Sequence, residues 1–191
     1  MVSRDIHSED NLPDAEAVLR FWFEELSPKQ HFLKDPALDF QIKNRFETLH
    51  QHLLSAGTAE FAATPRAKLA AIIVLDQFSR NMFRGHKRAF SGDHYALALA
   101  KELVASAADS TLSVAEKTFA YMPYMHSEDL ADQEEAVRLF DQSGLEDNLD
   151  YAIRHRDVIR RFGRFPHRNI CLGRPSTAEE QIFVETPGTA F

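Results

Sequence analysis

Hydrophobic residues recur at helical spacing along most of the chain. Between Pro36 and Gly57, for example, leucine, isoleucine or phenylalanine returns every three or four positions. This spacing places the apolar side chains on one face of an α-helix. Asp35 followed by Pro36 is a typical N-cap and first helical residue, and Gly57 is a typical helix end. The pattern therefore predicts a long amphipathic helix over 36–56.

Capping residues mark the starts of the other predicted helices. Thr64 with Pro65, and Ser113 with Glu116, combine a side-chain acceptor with a favourable residue in the first turn. The remaining predicted starts lie at Asn11, Ser91, Ser127, Asp147 and, in a second capping box with Glu179, Ser176. We expect Pro123 to end the helix that Ser113 opens, because the residue before a proline disfavours helical backbone.

The sequence contains no sustained strand alternation and no Asn-Gly or Asp-Gly hairpin signal. It therefore predicts an all-α protein of seven or eight helices packed as antiparallel pairs with short loops. No linker or low-complexity segment divides the chain. We expect a single all-helical domain over residues 1–191.

Composition narrows the class of protein. The longest apolar run, Leu69–Leu75, is far shorter than a membrane span, and the N-terminal residues lack the apolar stretch of a secretory signal. One cysteine, Cys171, is compatible with a reducing compartment. The net charge is −7, which argues against a duplex nucleic-acid partner. We expect a cytoplasmic protein with no membrane contact.

The positive charge is concentrated in two segments, 76–93 and 154–174. They hold ten of the fifteen arginines but only one of the seven lysines. Arginine has a planar fork that binds carboxylates and phosphates through two parallel hydrogen bonds. The preference for arginine over lysine in these segments indicates that the side chains bind partners of a defined geometry and do not only supply positive charge.

Three polar clusters interrupt the apolar pattern, in segments 75–85, 121–133 and 155–174. Their candidate ligand-binding residues are Asp76, Gln77, Arg80, Asn81, Arg84, His126, Glu128, Asp129, His155, Arg164, His167, Arg168 and Asn169. Two interpretations stay open for these side chains. They neutralise one another as an internal network, or their arginines face an anionic ligand.

Other chemistry has weaker support. His126 and Glu128 could ligate a metal ion, but they lack the same-face spacing of a His-Glu-x-x-His site, so we expect no metal. Glu128 and Asp129 also suit the first turn of a helix without any ligand. Cys171 could act as a nucleophile, yet a cysteine between Ile170 and Leu172 is more typical of packing. The sequence shows no glycine-rich phosphate loop and no cofactor motif.

The three clusters also carry a family resemblance. The chain contains LDQFSRNMFRG (75–85) followed by RAF (88–90), YMPYMHSEDL (121–130) and RFGRFPHRNICLGRPSTAEE (161–180). Together these motifs resemble the bacterial domain-of-unknown-function family 924, over nearly the whole chain from the FWF at 21–23. The resemblance implies an all-α, tetratricopeptide-like fold. It implies no established activity and no assigned catalytic residues.

Two functions remain compatible with these observations. In the first, the clusters converge on a pocket that binds a small carboxylate or phosphate, with His126, His155 or His167 as proton-transfer candidates. In the second, the protein is a tetratricopeptide-like interaction module whose arginines clamp an acidic peptide or a C-terminal carboxylate. Both predict that the six most informative side chains lie close together, namely Asp76, Arg80, His126, Glu128, Arg164 and Arg168.

Overall fold

The computed structural model describes residues 14–61 and 63–187, and in these residues it contains helices and no strands. The α-helices are α1 Ala15–Arg20, α2 Pro36–Ala56, α3 Pro65–Ile72, α4 Ser79–Met82, α5 Asp93–Ala105, α6 Val114–His126, α7 Leu130–Phe140, α8 Glu146–Phe162, α9 Asn169–Leu172 and α10 Ala178–Glu185. Two π-helical segments, Phe21–Glu25 and Ile73–Phe78, continue α1 and join α3 to α4. Counted as continuous helices, the described residues form nine, close to the predicted seven or eight.

Several predicted helix starts are confirmed. The side chain of Asp35 accepts hydrogen bonds from the first backbone N–H groups of α2, and Thr64 does the same for α3. Ser113 and Glu116 form a reciprocal capping box at the start of α6. The predicted cap at Asn11 lies outside the described residues, and within them Asp14 caps α1.

Other starts are displaced by one or two residues. Gly92 precedes α5 in place of Ser91, and Asp129 caps α7 in place of Ser127. The second capping box uses Thr177 and Glu180, one position after the predicted pair. In each case several cap-forming residues stand side by side, so the local sequence alone does not select among them. In the same way, α8 begins one residue before the predicted Asp147.

The prediction that Pro123 ends its helix is wrong. α6 continues through Pro123 to His126, and residues 121–125 are all buried. A proline inside a helix removes one backbone hydrogen bond and is unfavourable by about 3 kcal/mol. Burial of the surrounding Tyr121, Met122, Tyr124 and Met125 offsets this loss. As a result, His126 sits at the end of a helix and not in a bend.

The continuous helix of α3, the second π-helical segment and α4 forms the centre of the protein. Every residue from Leu69 to Ser79 is buried, and this helix packs against α2, α5 and α6. Near the C-terminal end, Val158, Ile159 and Phe165 form a smaller apolar cluster that packs against Phe183 of α10. No helix within the described ranges is long and apolar enough to cross a membrane.

Candidate functional site

Seven side chains from distant parts of the chain form a closed series of contacts, which we call the polar ring. In order around the ring they are Asp76, His126, His155, Phe165, Arg168, Asp93 and Arg80. The Asp76 carboxylate lies 2.8 Å from His126 Nδ1, and the ring centroids are 6.3 Å apart for His126 and His155 and 5.6 Å apart for His155 and Phe165. The Phe165 centroid lies 4.5 Å from the Arg168 guanidinium carbon. The ion pairs measure 3.4 Å for Arg168 and Asp93, 3.0 Å for Asp93 and Arg80, and 2.8 Å for Arg80 and Asp76. The ring joins the central helix, α5, α6, α8 and the loop after α8.

Asp76 is a fully buried member of the polar ring, with the residue 0% exposed. Its carboxylate accepts hydrogen bonds from Gln77 Nε2 at 2.6 Å and from His126 Nδ1, and it pairs with Arg80 Nη1 at 2.8 Å. Burial alone would raise the pKa of Asp76, but Arg80 and His126 hold that pKa well below its ordinary value. Asp76 is therefore an anion with several partners inside the protein.

The backbone around Asp76 is unusual. Asp76 and Gln77 lie in the π-helical segment Ile73–Phe78, a local widening of the helix that recurs at functional sites. Gly92 packs directly on this segment, and a Cβ atom at that position would overlap the carbonyl oxygen of Leu75. Because position 92 has no side chain, α5 begins close enough for Asp93 to bind Arg80 through two bonds of 3.0 and 3.1 Å.

Arg168 is held differently from Arg80. Its side chain is buried, with the residue 7% exposed, yet its one ion pair with a described residue is a 3.4 Å contact from Nη1 to Asp93. The rings of Phe90 and Phe165 lie 4.8 and 4.5 Å from its guanidinium carbon. Its buried Nε has no hydrogen-bond partner among the described residues. Burial and the neighbouring Arg80 lower the pKa of Arg168 to about 10.

His126 is oriented by Asp76. Its Nδ1 lies 2.8 and 2.9 Å from the two carboxylate oxygens, so we assign the proton to Nδ1 and a lone pair to Nε2. Burial and Arg80 lower the pKa of His126 below its ordinary value, and the imidazole is neutral near pH 7. The side chain keeps 15% of its surface exposed. His126 therefore combines a fixed tautomer with access to solvent.

Two further histidines lie on the Arg168 side of the polar ring. His155 donates from Nδ1 to the carbonyl oxygen of Tyr151 at 2.8 Å, and burial together with His126 lowers its pKa to about 3. The His167 ring lies 5.6 Å from that of Phe165. Burial and Arg168 lower the pKa of His167 to about 4. Both imidazoles are neutral and lie in an electropositive environment.

Glu128 and Arg164, which were expected in the same cluster, are not members of the polar ring. Glu128 accepts a bond from the Phe165 backbone N–H at 2.8 Å and pairs with Arg174 at 2.6 and 2.9 Å. Arg164 pairs with Glu180 of α10 at 2.6 and 2.8 Å. These contacts fasten the loop that carries Arg168, so both residues brace the site from its edge.

The remaining candidates lie further from the polar ring. Asn81 and Arg84 both bind Asp39 of α2, at 2.8 to 2.9 Å. Asp129 is the exposed N-cap of α7. Asn169 is buried and donates to Ser176 Oγ at 3.1 Å. The contacts of Asn81, Arg84 and Asn169 each tie two segments of the fold together, whereas Asp129 caps its own helix.

Sequence reasoning missed several contributors to the site. Asp93 lies in the arginine-rich segment 76–93 but was not among the candidate residues, and no pattern marked Phe90 or Phe165 as partners of an arginine. Arg174 was grouped with the arginines of its segment without a partner. An acidic residue at the start of a helix, directly after Gly92, was the available signal for Asp93.

The structure also has an open cleft away from the polar ring, with a volume of about 410 Å³. It is lined by Val104, Ala107, Asp109, Ser110, Lys117, Tyr121, Arg138, Leu139, Asp141 and Gln142. None of the candidate residues from the sequence lines it. Within the described ranges, no group of three or more histidine, cysteine, aspartate or glutamate side chains is placed to hold a metal ion.

The fold and the polar ring define an all-helical protein in which an aspartate of the central buried helix pairs with a histidine at the end of α6, beside an underpaired arginine. The chain belongs to the family described as bacterial protein of unknown function (DUF924), which matches residues 18–188. The resemblance carried by the three motifs is thereby confirmed.

A solved structure supports this assignment. The chain is similar to the protein of unknown function ATU0120 from Agrobacterium tumefaciens, with 35% sequence identity and a TM-score of 0.83. The similarity covers 90% of this chain and 96% of that chain. No curated protein matches.

Proposed function

We propose that the protein binds a small anionic ligand, through a carboxylate or phosphate group, at the guanidinium of Arg168. One observation carries the proposal: within the part of the chain that the structure describes, the Nε of this buried arginine has no partner and its single ion pair is long. A buried cation of this kind is unfavourable unless a partner is supplied. An anionic ligand would supply it.

The geometry of Arg168 favours an anion with two oxygens in one plane. Its Nη1 is directed to Asp93, and Phe90 and Phe165 lie near the guanidinium. The edge formed by Nε and Nη2 has no bond to a described residue. Such an edge is the fork that binds carboxylate or phosphate oxygens in pairs.

The charges around the polar ring support the same proposal. The two carboxylates of Asp76 and Asp93 balance the two guanidinium groups, so a ligand with one negative charge adds little repulsion. The lowered pKa values of His155 and His167, each caused in part by Arg168, indicate a positive potential on that side. A monoanionic carboxylate suits this environment better than a phosphate dianion.

Three finer proposals accompany this function. The chain packs consecutive helices such as α6, α7 and α8 against each other, which supports a tetratricopeptide-like array. In such an array, the carboxylate bound by Arg168 could be the C-terminus of a peptide. The single cysteine supports a cytoplasmic location.

The test is thermal melting of the wild type and of Arg168→Met with acetate, citrate, phosphate or an acidic peptide, at matched ionic strength. A ligand that binds only the folded state raises its stability, by about 2.7 kcal/mol at 100 times Kd. We expect carboxylates to raise the Tm of the wild type and to leave Arg168→Met unchanged. Arg154→Met is the matched control, because it removes an exposed arginine of α8.

Two outcomes would distinguish the alternatives. Stabilisation by the peptide but not by free carboxylates would favour the interaction module. No stabilisation of the wild type by any of these anions, up to the solubility of each, would refute ligand binding at Arg168. The polar ring would then be an internal brace.

A further inference from the structure

We propose that the polar ring is a hydrolytic site, in which His126 activates water against an ester whose acyl part carries a second, free carboxylate. This inference rests on the proposed function, because Arg168 binds the free carboxylate. The geometry of His126 and Asp76 carries the step from binding to chemistry.

The first support is the orientation of His126. Both carboxylate oxygens of Asp76 face Nδ1, which fixes the imidazole with its Nε2 lone pair directed away from the acid. No described residue bonds to Nε2, and the side chain is partly exposed. A histidine oriented by a buried carboxylate, with its second nitrogen open to solvent, is the arrangement of a general base.

The second support is the counter-charge that faces the base. When Nε2 takes a proton, the imidazolium lies against Asp76, which Gln77 and Arg80 keep ionised and in place. Asp76 itself takes no proton in this scheme. It is a positioning residue that acts through His126.

The third support is the separation of His126 from Arg168. Around the polar ring, three contacts join the two residues through His155 and Phe165, and four join them through Asp93, Arg80 and Asp76. A ligand that reaches both residues therefore needs two functional groups. The carboxylate of an acidic acyl chain lies at Arg168, and the reacting carbonyl carbon lies near His126.

The reaction balances without a cofactor. An O–H bond of water breaks, its proton moves to Nε2, and the oxygen forms a bond to the ester carbonyl carbon while the carbonyl π bond opens and leaves its electron pair on the carbonyl oxygen. The carbonyl double bond then re-forms as the ester C–O bond breaks, and the electron pair of that bond leaves with the alcohol oxygen, which takes the proton back from Nε2. The products are an alcohol and a dicarboxylic acid, whose new carboxyl group releases its proton to solvent.

The experiment uses two chromogenic esters of equal chain length. Mono-4-nitrophenyl adipate carries a free carboxylate, and 4-nitrophenyl hexanoate carries a methyl group in the corresponding place. Initial rates of nitrophenolate release are measured for the full-length wild type, His126→Gln, Arg168→Met and Asp76→Asn. His86→Gln, which changes an exposed histidine outside the polar ring, is the matched control.

We expect the wild type to hydrolyse the adipate ester at least 10-fold faster than the hexanoate ester. His126→Gln should lower the adipate rate by about 100-fold or more, since general base catalysis contributes on that scale. Arg168→Met should raise KM for the adipate ester and abolish the preference over the hexanoate ester. A wild-type rate equal to that of His126→Gln would overturn the proposal.

A second measurement uses the wild type and therefore does not depend on whether a variant folds. Nitrogen NMR of the wild type near pH 7 should show His126 protonated at Nδ1 and unprotonated at Nε2. A proton found on Nε2 would refute its role as a base. In folded Asp76→Asn, the rate profile against pH should move to lower pH, because the imidazolium loses its counter-charge.

The two proposals can fail separately. Carboxylate binding at Arg168 without hydrolysis above the His126→Gln rate would remove the hydrolytic site and leave the proposed function intact. Hydrolysis that depends on His126 but shows equal rates for both esters, with no carboxylate stabilisation, would instead remove the role of Arg168. Either result overturns the inference as stated.

Discussion

The two arginines of the polar ring both contact Asp93, but the guanidinium of Arg80 makes several hydrogen bonds and ion pairs whereas that of Arg168 makes few. Arg80 donates to Asp93 through two bonds, pairs with the Asp76 carboxylate and also donates to the Asp76 backbone carbonyl at 2.9 Å. Arg168 reaches Asp93 through one long contact. Arg80 comes from the central helix, whereas Arg168 comes from a loop.

This difference shows how one group of charged side chains can both stabilise the fold and leave one arginine available to bind a ligand. In the central helix, Arg80 forms ion pairs with both Asp76 and Asp93, as an internal network requires. The loop arginines divide as well, because Arg164 and Arg174 are each paired twice with a glutamate while Arg168 is not. The underpaired member keeps an edge, formed by Nε and Nη2, that has no bond to a described residue and is available to a ligand.

The largest expected effect is the response of stability to acid. His50, His155 and His167 have pKa values lowered to about 4, 3 and 4 from 6.5. Between pH 6.5 and 4 the unfolded chain therefore binds more protons than the folded protein. The contribution of these histidines to the free energy of unfolding should be fully present above pH 6.5. On acidification the free energy of unfolding should fall, by up to about 1.4 kcal/mol per pH unit for each of the three histidines.

Urea unfolding at several pH values measures this slope. His155→Gln should reduce it, because the substitution removes one of the titrating groups on the Arg168 side. A free energy of unfolding that stays constant between pH 7 and 4 would contradict the lowered pKa values. Loss of stability that begins only below pH 4 would assign the acid response to carboxylates such as Asp76. The pKa of Asp76 is low, so its carboxylate stays ionised and paired at higher pH.

The next largest effect is the decrease in the free energy of unfolding when Arg80 is replaced. Arg80→Met leaves Asp76 without its guanidinium partner inside the protein, and Asp93 keeps only the long contact to Arg168. Breaking a buried pair in this way is unfavourable by about 3–5 kcal/mol. Chemical denaturation of Arg80→Met should show this decrease, and Arg80→Lys should restore part of it. A decrease below about 1 kcal/mol would mean that Arg80 is not a brace.

The smallest effect should come from the underpaired arginine in the absence of ligand. Arg168→Met removes a buried cation with one weak ion pair and keeps an apolar side chain between Phe90 and Phe165. We expect the free energy of unfolding to change by less than about 1 kcal/mol, in either direction. Denaturation in a buffer without carboxylate or phosphate measures it. A decrease as large as that of Arg80→Met would make the two arginines equivalent and end the comparison.

The fold was predictable from the sequence because helix spacing and capping are local signals. Asp35 with Pro36 and Thr64 with Pro65 each place a cap and a first-turn proline next to an apolar stripe, so their helices could be assigned directly. Pro123 was misjudged because its local preference is overridden by burial of the residues around it. That burial depends on helices distant in sequence.

The site was predictable only in part, for a related reason. Polar clusters that interrupt an apolar pattern are visible in the sequence, which is why Asp76, Arg80, His126 and Arg168 were all singled out. Their pairing was not visible, because Asp93 joins the two arginines through a helix start that depends on Gly92. The π-helical widening at Ile73–Phe78 also leaves no local pattern, since it arises from how the central helix packs.

The long separations within the polar ring set the order in which the site can form during synthesis. Asp76 and Arg80 leave the ribosome first, and the N-terminal part of a chain begins to fold before the rest. His126, His155 and finally Arg168 must then be added from later segments, so the ring closes last. Until then Asp76 and Arg80 can neutralise each other within one helix turn, which keeps the early core free of an unpaired charge. A nascent chain can thus hold its central helix in place well before it has a site for a ligand.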